Sequence, residues 1–218
     1  MSLIIYGHPR SRTNFLCSHI RGFPKELFDL TKVNSDLQLD WSLNLDPRES
    51  VYSDRASLYL QKIKSENPEY FKIFGFHLQN WPACFAYIQS LNYPVIRVYR
   101  KNKFEAILSL LLGQRRGWTS NTQSNISAFD VSFGHFSKAF STVVTHDQYW
   151  ESKFQFDVEL EYNELPSAVM DGALQKYGVE KNQIYKLENQ DSITLSQSLI
   201  KNIKELEQWN ELMYKEKY

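Results

Sequence analysis

The sequence predicts an α/β fold in which a mostly parallel central sheet is covered by helices on both faces, a three-layer α/β/α sandwich. Short apolar runs typical of buried strands alternate along the chain with segments of helical periodicity. One run, Pro94–Tyr99, is nearly continuous in apolar and β-branched residues, which is typical of a parallel strand buried on both faces. The 218 residues suffice for one hydrophobic core, so we predict a single domain over residues 1–218.

Composition and charge argue against several classes of protein. Lys plus Arg and Asp plus Glu number 25 each, and this zero net charge argues against general binding to nucleic acid or membrane surfaces. The sequence has no apolar run of about 18 residues and no signal-peptide pattern. Cys17 and Cys84 lack metal-site spacing and are interpreted as reduced core residues. We therefore expect a cytoplasmic protein without a metal; its oligomeric state stays open.

The first strand, loop and helix form the segment around which the chain is organised. The apolar run Leu3–Tyr6 predicts a buried strand, Gly7–Thr13 a turn, and the following residues up to Ile20 an amphipathic helix. A loop that enters a helix N-terminus directs backbone N–H groups and the positive end of the helix dipole towards one place. Arg10 adds a planar guanidinium group that fits phosphate or sulfate oxygens. The loop therefore predicts an anion site.

The middle of the chain continues the alternation of helices and strands. Asp54–Ser65 is predicted as a helix, because it has an N-cap residue and ends before Pro68. Tyr70–Leu78 is apolar and aromatic, which favours a strand, and Trp81–Leu91 favours a helix. Lys103–Gly113 is predicted to be an amphipathic helix, because its apolar residues recur at i, i+3, i+4 and i+7.

The last third begins with a long polar segment. Residues 114–135 are rich in Ser, Asn and Gly, and long loops in compact domains tend to be functional, so we predict a mobile substrate loop there. Phe136–Phe154 is predicted as a helix, and the alternating residues of Phe154–Tyr162 predict a half-exposed edge strand. The final predicted elements are a helix at Glu164–Tyr177 ending at Gly178, a short strand at Gln183–Leu187, and a helix at Thr194–Tyr214 with Thr194 as its N-cap.

A second cluster of cations follows the strand Pro94–Tyr99. Arg100, Lys101 and Asn102 come directly after this strand, and Ser109 lies on the next helix. Because parallel sheets bind ligands at the carboxyl ends of their strands, the cluster and the first loop are expected at one edge. The cluster is interpreted as a second phosphate site; a solvated basic turn and a Ser bonded to its own helix are the alternative.

Two common phosphate-binding motifs are absent from the first loop. A Walker A motif requires G-x-x-x-x-G-K-[ST], but Arg12 stands at the second Gly position and Thr13 at the Lys position. A dinucleotide motif requires G-x-G-x-x-G, and Gly7 is the only glycine of this loop. No carboxylate is placed like a Walker B Asp, which argues against metal-dependent ATP chemistry.

Several motifs resemble those of the sulfotransferases. Residues Pro9–Asn14 (PRSRTN) resemble the phosphosulfate loop P-[RK]-S-G-[ST]-[STN], with Arg12 in place of Gly. Tyr99–Asn102 with Ser109 resembles the motif Y-R-R-N-x-x-x-x-x-x-S of bacterial and phage-like members. In the related family pattern R-[ND]-P-x-D-x-x-x-S, Glu105 stands at the position of the Asp. Leu160–Leu165 resembles the late Y-E-D-L segment, and Thr194–Leu206 resembles a C-terminal helix of bacterial members.

The resemblance implies a P-loop NTPase-like sulfotransferase fold and an activity. Such an enzyme moves the sulfuryl group of 3′-phosphoadenosine 5′-phosphosulfate (PAPS) to a hydroxyl of a carbohydrate or small-molecule acceptor. It implies that Arg10 stabilises the charge of the transferring and leaving groups, that Tyr162 lies near the adenine, and that either Arg100 or Lys101 binds the 3′-phosphate with Ser109. The resemblance further implies that the donor-binding residues of the first loop are Arg10, Ser11, Arg12, Thr13 and Asn14.

Two residues are candidates for the base that deprotonates the acceptor. Glu26 lies in a segment similar to the P-x-E-F-F segment of trehalose-type bacterial sulfotransferases, whose Glu is the proposed base. His77 lies near the end of a predicted strand, and the pKa of histidine suits proton transfer near neutral pH. Two other functions stay open: an ATP-dependent P-loop phosphotransferase, and a non-catalytic nucleotide-binding or partner-binding protein on the same fold.

Overall fold

The computed structural model describes residues 2–8, 11–21, 64, 70–74, 82–115, 127–165, 167–181 and 198–215. Short strands and helices alternate through these ranges, as predicted for an α/β fold. In chain order they are β1 (Leu3–Gly7), α1 (Thr13–His19), β2 (Tyr70–Phe74), α2 (Pro82–Ser90), β3 (Val95–Tyr99), α3 (Lys103–Arg115), α4 (Phe133–Phe140), α5 (His146–Glu151), β4 (Val158–Glu161), α6 (Ala168–Lys176) and α7 (Ile203–Lys215).

The four described strands form one parallel sheet in the order β2-β1-β3-β4. This confirms the predicted α/β class with a parallel sheet, and among the described strands β4 lies at an edge, as its alternating sequence predicts. The register places Tyr6 of β1 beside Arg97 of β3, and Arg97 beside Glu159 of β4. The carboxyl ends of β1, β3 and β4 therefore meet at one edge of the sheet.

Helices cover both faces of the sheet. On one face, alternate strand residues such as Ile5 and Val98 pack against α1 and α6 in a shared hydrophobic core. On the other face, the intervening residues Tyr6 and Arg97 contact α5 through Asp147. The described residues thus have helix, sheet and helix layers, which agrees with the predicted α/β/α arrangement.

Helix α3 is buried all round rather than amphipathic, so that prediction is wrong. Every residue from Ala106 to Gly113 is buried, including Ser109, and the helix ends at Arg115 rather than at Gly113. The reason is that α3 belongs to a second hydrophobic core, in which α4 packs against both α3 and α7 and which holds Phe136 and Leu206 among others. A periodicity argument identifies one apolar face of α3 but cannot show which later segments cover the others.

The aromatic segment after residue 130 differs from the single helix predicted for Phe136–Phe154. Helix α4 begins at Phe133, because the Ser132 hydroxyl oxygen accepts a hydrogen bond from the backbone N–H of His135 as an N-cap. A π-helical turn at Ser141–Thr145 separates α4 from α5, which ends at Glu151. Residues 114–115 and 133–135, which we predicted to belong to the substrate loop, are therefore helical.

Other boundaries follow from local capping. Helix α6 begins after the N-cap Ser167, later than predicted, and Gly178 beyond its end adopts φ +61°, as the predicted glycine stop requires. Several predicted elements lie outside the described residues. They are the part of the second strand beyond Phe74, the short strand Gln183–Leu187, the N-cap Thr194, and the helix Asp54–Ser65 except for Lys64, which is helical. In the described part of the chain, no helix has the length and apolar character to cross a membrane.

Candidate functional site

Three segments that follow strands meet at the carboxyl edge of the sheet. Residues 8, 11 and 12 follow β1, residues 100–102 follow β3, and a 3₁₀ turn at Tyr162–Glu164 follows β4. These segments contain the two predicted anion sites and the tyrosine expected near the adenine. The sequence prediction that they lie at one edge is supported by the parallel sheet, which places all three strand ends side by side.

The described residues of the first loop pack closely at the end of β1. The Ser11 hydroxyl donates to the carbonyl oxygen of His8 at 2.7 Å, and the backbone N–H of Ser11 donates to the same oxygen at 3.3 Å. A Cβ on Gly7 would lie 2.5 Å from Cγ2 of Thr13 and 2.9 Å from the backbone oxygen of Val98. Gly7 is therefore required by close approach, and Ser11 and Thr13 are both buried beneath the loop.

Arg12 occupies the position where the resembling motif has glycine, and its backbone is left-handed at φ 65°. Its side chain extends to the β4 side of the site. Nη1 donates to the carbonyl oxygens of Leu165 at 2.7 Å and Tyr162 at 3.3 Å, and the guanidinium carbon lies 4.0 Å from the centroid of the Tyr162 ring. The Arg12 side chain thus joins the first loop to the turn after β4.

Arg100 is the most enclosed cation of the site, with a relative exposure of 2%. Its backbone N–H donates to Nε2 of His8 at 3.3 Å, which joins the first loop to the segment after β3. Its Nη2 donates to Glu105 at 3.2 Å, and its guanidinium carbon lies 4.2 Å from the centroid of the Tyr162 ring. Among the described residues, the buried Nε and Nη1 of Arg100 have no hydrogen-bond partner.

The unpartnered nitrogens of Arg100 require an explanation, because burying polar groups without partners is costly. An unsatisfied buried donor costs about 1–3 kcal/mol, and more when the group is charged. The single carboxylate of Glu105 engages only Nη2. A buried guanidinium group with spare donors at a strand end is typical of a site that an anion completes.

Tyr162 is held by a capping box in the 3₁₀ turn. The Glu161 side chain accepts from the backbone N–H of Asn163 at 3.3 Å, and the Glu164 side chain accepts from the backbone N–H of Glu161 at 2.6 Å. The turn fixes the half-buried Tyr162 beside two guanidinium groups, those of Arg12 and Arg100. Each contact is a cation–π interaction of about 0.5–2 kcal/mol.

A cavity of about 310 Å³ opens between the segments after β3 and β4. This volume is within the range of small-ligand sites. The described lining consists of two cations, two carboxylates and two amides, namely Arg100, Lys101, Asn102, Glu105, Glu161 and Asn163. Such a lining suits a polar, charged ligand rather than an apolar one.

The structure brings some of the predicted site residues together and leaves others apart. Arg100 and Lys101 both line the cavity, Arg100 buried and Lys101 exposed, whereas Ser109 is buried in α3 and is not among the described lining residues. Asn14 lies in the first turn of α1, with its side chain outside the description. The other three predicted residues, Arg10, Glu26 and His77, lie outside the described residues.

Sequence reasoning missed the roles of four residues in the site. Glu105 was noted only as a motif position, although its spacing from Arg100 allows the observed ion pair. Glu161 and Glu164 were not identified, although two carboxylates three residues apart around a turn are a capping signal. The role of His8 had no signal in the sequence, because it depends on the distant contact with Arg100.

A buried ion cluster lies on the opposite face of the sheet, next to the segment after β3. The carboxylate of Asp147 accepts from the Lys103 ammonium group, lies 3.6 Å from Nη2 of Arg97, and accepts from the Tyr6 hydroxyl at 3.4 Å. Arg97 also pairs with Glu151 and Glu159. Burial lowers the pKa of Lys103, with Asp147 opposing the shift, and burial together with Asp147 raises the pKa of Tyr6.

Neither a metal-binding cluster nor a similarity to a known protein identifies the site further. Within the described ranges, no three His, Cys, Asp or Glu side chains come together in an arrangement that could hold a metal ion. Comparisons with models of protein families, with curated proteins and with solved structures found no match. The residues of the site itself therefore carry the functional argument.

Proposed function

We propose that the protein is a PAPS-dependent sulfotransferase with a P-loop-like α/β/α fold. The observation that carries the proposal is the buried guanidinium group of Arg100 at a strand end beside the first loop, where two of its nitrogens have no partner in the part of the chain that the structure describes. In this proposal the group binds the 3′-phosphate of the donor, with Lys101 adding a second positive charge. The motif similarity of the first loop supports a second anion site for the 5′-phosphosulfate.

The contact between the two loops supports a ligand with two anionic groups. His8 joins them, because its carbonyl oxygen accepts from Ser11 and its Nε2 accepts from the backbone N–H of Arg100. Two anion sites held in fixed relation suit a nucleotide phosphorylated at both its 3′ and 5′ positions. Adenosine 5′-phosphate would fill only one of them. Tyr162, which lies against the guanidinium groups of Arg12 and Arg100, stays our expected contact for the adenine.

The proposed reaction is an in-line transfer between two oxygens. The base, Glu26 or His77, takes the proton of the acceptor hydroxyl, and the acceptor oxygen forms a bond to sulfur. The bond between sulfur and the 5′-phosphate oxygen breaks, and 3′-phosphoadenosine 5′-phosphate (PAP) leaves. Arg10 and the amides of the first loop would stabilise the charge that develops on the leaving phosphate. The products are the sulfate ester and PAP, and no metal is required.

Donor turnover tests this proposal. Wild-type protein is incubated with PAPS and a panel of carbohydrate and small-molecule alcohols, and the release of PAP is followed. We expect acceptor-dependent release that is lost in Arg100→Gln and kept in Arg21→Gln, which removes an exposed arginine that pairs with Glu180 at the surface. Glu26→Gln and His77→Ala then identify the base, because the variant without it loses turnover but still binds PAP.

A nucleotide-binding protein without transfer activity is the second candidate. Two observations favour it: the Arg12 side chain is engaged by carbonyl oxygens and a tyrosine ring, and Glu105 already pairs with Arg100. Binding of PAP without turnover on any acceptor supports this candidate. Turnover of ATP instead of PAPS would favour the phosphotransferase alternative.

A further inference from the structure

The cavity at the carboxyl edge has no net charge in its described lining, although it is the proposed phosphate site. Arg100 and Lys101 supply two positive charges, and Glu105 and Glu161 supply two negative charges. Two carboxylates in the lining would not strengthen the binding of a compact dianion, because their negative charges repel it. The lining is better matched to a ligand that carries an anion and a hydrogen-bond donor close together.

The two carboxylates differ in what they contact. Glu105 accepts from Nη2 of Arg100 and is therefore the counter-ion of the buried guanidinium group. Glu161 forms no ion pair with any cation in the described ranges. Its Oε2 and Oε1 accept only from the backbone N–H and the side-chain amide of Asn163, at 3.3 and 3.4 Å.

Glu161 consequently keeps acceptor capacity towards the cavity. An ionised carboxylate has about four lone-pair sites, and two long hydrogen bonds use half of them. The bond from its own backbone N–H to Glu164 holds the residue in place at the end of β4. A fixed carboxylate on the wall of a polar cavity is suited to accept from a ligand hydroxyl.

We propose that Glu161 accepts a hydrogen bond from a ribose hydroxyl adjacent to the phosphate bound at Arg100, so that the cavity selects ribonucleotides over 2′-deoxyribonucleotides. The inference rests on the proposed function, because it requires a nucleotide 3′-phosphate in this cavity. In such a nucleotide the 2′-hydroxyl is the donor next to the 3′-phosphate. A site built to accept a hydrogen bond from a ligand hydroxyl discriminates against the analogue that lacks it.

Calorimetric titration with PAP and with 2′-deoxy-PAP tests the inference. The two ligands carry the same phosphates and adenine, so the ratio of their affinities isolates the hydroxyl. We expect wild-type protein to bind PAP at least about tenfold more tightly than 2′-deoxy-PAP, which is the lower end for a hydrogen bond to a charged group. Glu161→Ala should bring the ratio close to one.

Glu161 also caps the turn that holds Tyr162, so its substitution could change the affinity ratio by altering this turn. Two further variants control for that effect. Glu161→Gln keeps an oxygen acceptor for the Asn163 N–H but removes the charge, so the ratio should fall while the folded state is retained. Glu180→Ala removes an exposed carboxylate that pairs with Arg21 at the surface, and the ratio should stay at the wild-type value.

The outcomes separate the inference from the function on which it rests. If wild-type protein binds PAP and 2′-deoxy-PAP equally, the inference is wrong and the proposed function stands. If the ratio survives in Glu161→Ala and Glu161→Gln, another group recognises the hydroxyl and the assignment to Glu161 is wrong. If neither nucleotide binds, the proposed function fails and the inference fails with it.

Discussion

The guanidinium group of Arg12 lies 4.0 Å from the centroid of the Tyr162 ring, and its Nη1 donates to the carbonyl oxygen of Leu165 at 2.7 Å. These contacts join the loop after β1 to the turn after β4. They also offset the strain of a non-glycine residue at φ 65°. An arginine at the glycine position of the motif is therefore compatible with a well-formed loop.

Substitutions of Arg12 separate the side-chain contacts from the backbone strain. Arg12→Ala removes the bonds to two carbonyl oxygens and keeps a side chain at positive φ, so we expect it to lower the free energy of unfolding by about 1–3 kcal/mol. Arg12→Gly removes the same contacts but relieves the strain, so it should be about 1 kcal/mol more stable than Arg12→Ala. Urea denaturation measures both. An alanine variant as stable as wild type would show that the contacts contribute nothing.

Substitution of Gly7 tests the close packing beneath the first loop. Gly7→Ala would place a Cβ 2.8 Å from the Ser11 hydroxyl oxygen and 2.9 Å from the backbone of Val98. We expect a loss of about 1–3 kcal/mol, because overpacking displaces neighbouring groups.

Gly172→Ala in α6 is the matched control for Gly7→Ala. Its added Cβ has no atom within 4 Å, and alanine is the better helix former, so this variant should be more stable by about 0.4–1 kcal/mol. Thermal unfolding of the two variants should therefore shift in opposite directions. Shifts of the same sign would contradict the packing described for the loop.

Asp147 is predicted to be essential for the buried ion cluster. Asp147→Asn removes the charge that faces Lys103 and Arg97. Arg97 keeps its other two carboxylate partners, but Lys103 loses its counter-ion, which should lower stability by about 3 kcal/mol. The control is Asp171→Asn, because Asp171 and Lys181 form an ion pair whose side chains are 49% and 42% exposed. That variant should change stability by about 0.5 kcal/mol or less. Similar losses in both variants would rule out a special role for Asp147.

The buried hydroxyl of Tyr6 should make the folded protein less stable at alkaline pH. Burial and Asp147 raise the pKa of Tyr6 above its ordinary value of 10.0, so the folded protein keeps this proton at pH values where the unfolded chain releases it. The unfolded state then binds fewer protons, and stability falls as pH rises above 10, by up to about 1.4 kcal/mol per pH unit. Lys103 has the opposite sign: its pKa is lowered, so its contribution to stability rises with pH up to its ordinary value of 10.5.

The measurement is the unfolding free energy of wild type and Tyr6→Phe between pH 8 and 11, a range set by these two titrations. The phenylalanine variant cannot release the proton, so its stability should fall less steeply above pH 10. Because Lys103 is present in both proteins, its contribution cancels in the comparison. Parallel profiles would contradict the burial of the Tyr6 hydroxyl.

The sequence predicted the fold class because the sheet depends on local patterns. The β-branched run that forms β3 and the alternating run that forms β4 each reflect how many faces of the strand are buried. Helix boundaries were less predictable. The cap at Ser132 and the π-helical turn at Ser141–Thr145 depend on local hydrogen bonding that aromatic periodicity does not encode. The core that buries α3 also includes residues of α7, which lies almost a hundred residues further along the chain.

The position of the candidate site could be predicted from the sequence, but only some of the contacts between its residues could. Parallel strands place their carboxyl ends together, so Arg100 and the first loop were expected to lie near one another. The contact of Arg12 with Tyr162 spans 150 residues and could not be derived from spacing. The pairing of Arg100 with Glu105 is local, and an acidic residue five positions after the arginine was its only signal.

The central claim is that the edge formed by the first loop and Arg100 binds a nucleotide with a 3′-phosphate. Calorimetric titration of the wild-type protein with PAP and with AMP tests it most directly, because the two nucleotides differ only in that phosphate. We predict that PAP binds more than about tenfold more tightly than AMP, a difference of roughly 1.4 kcal/mol. Equal affinities for the two nucleotides, or no binding of PAP, would contradict the assignment of Arg100 to the 3′-phosphate.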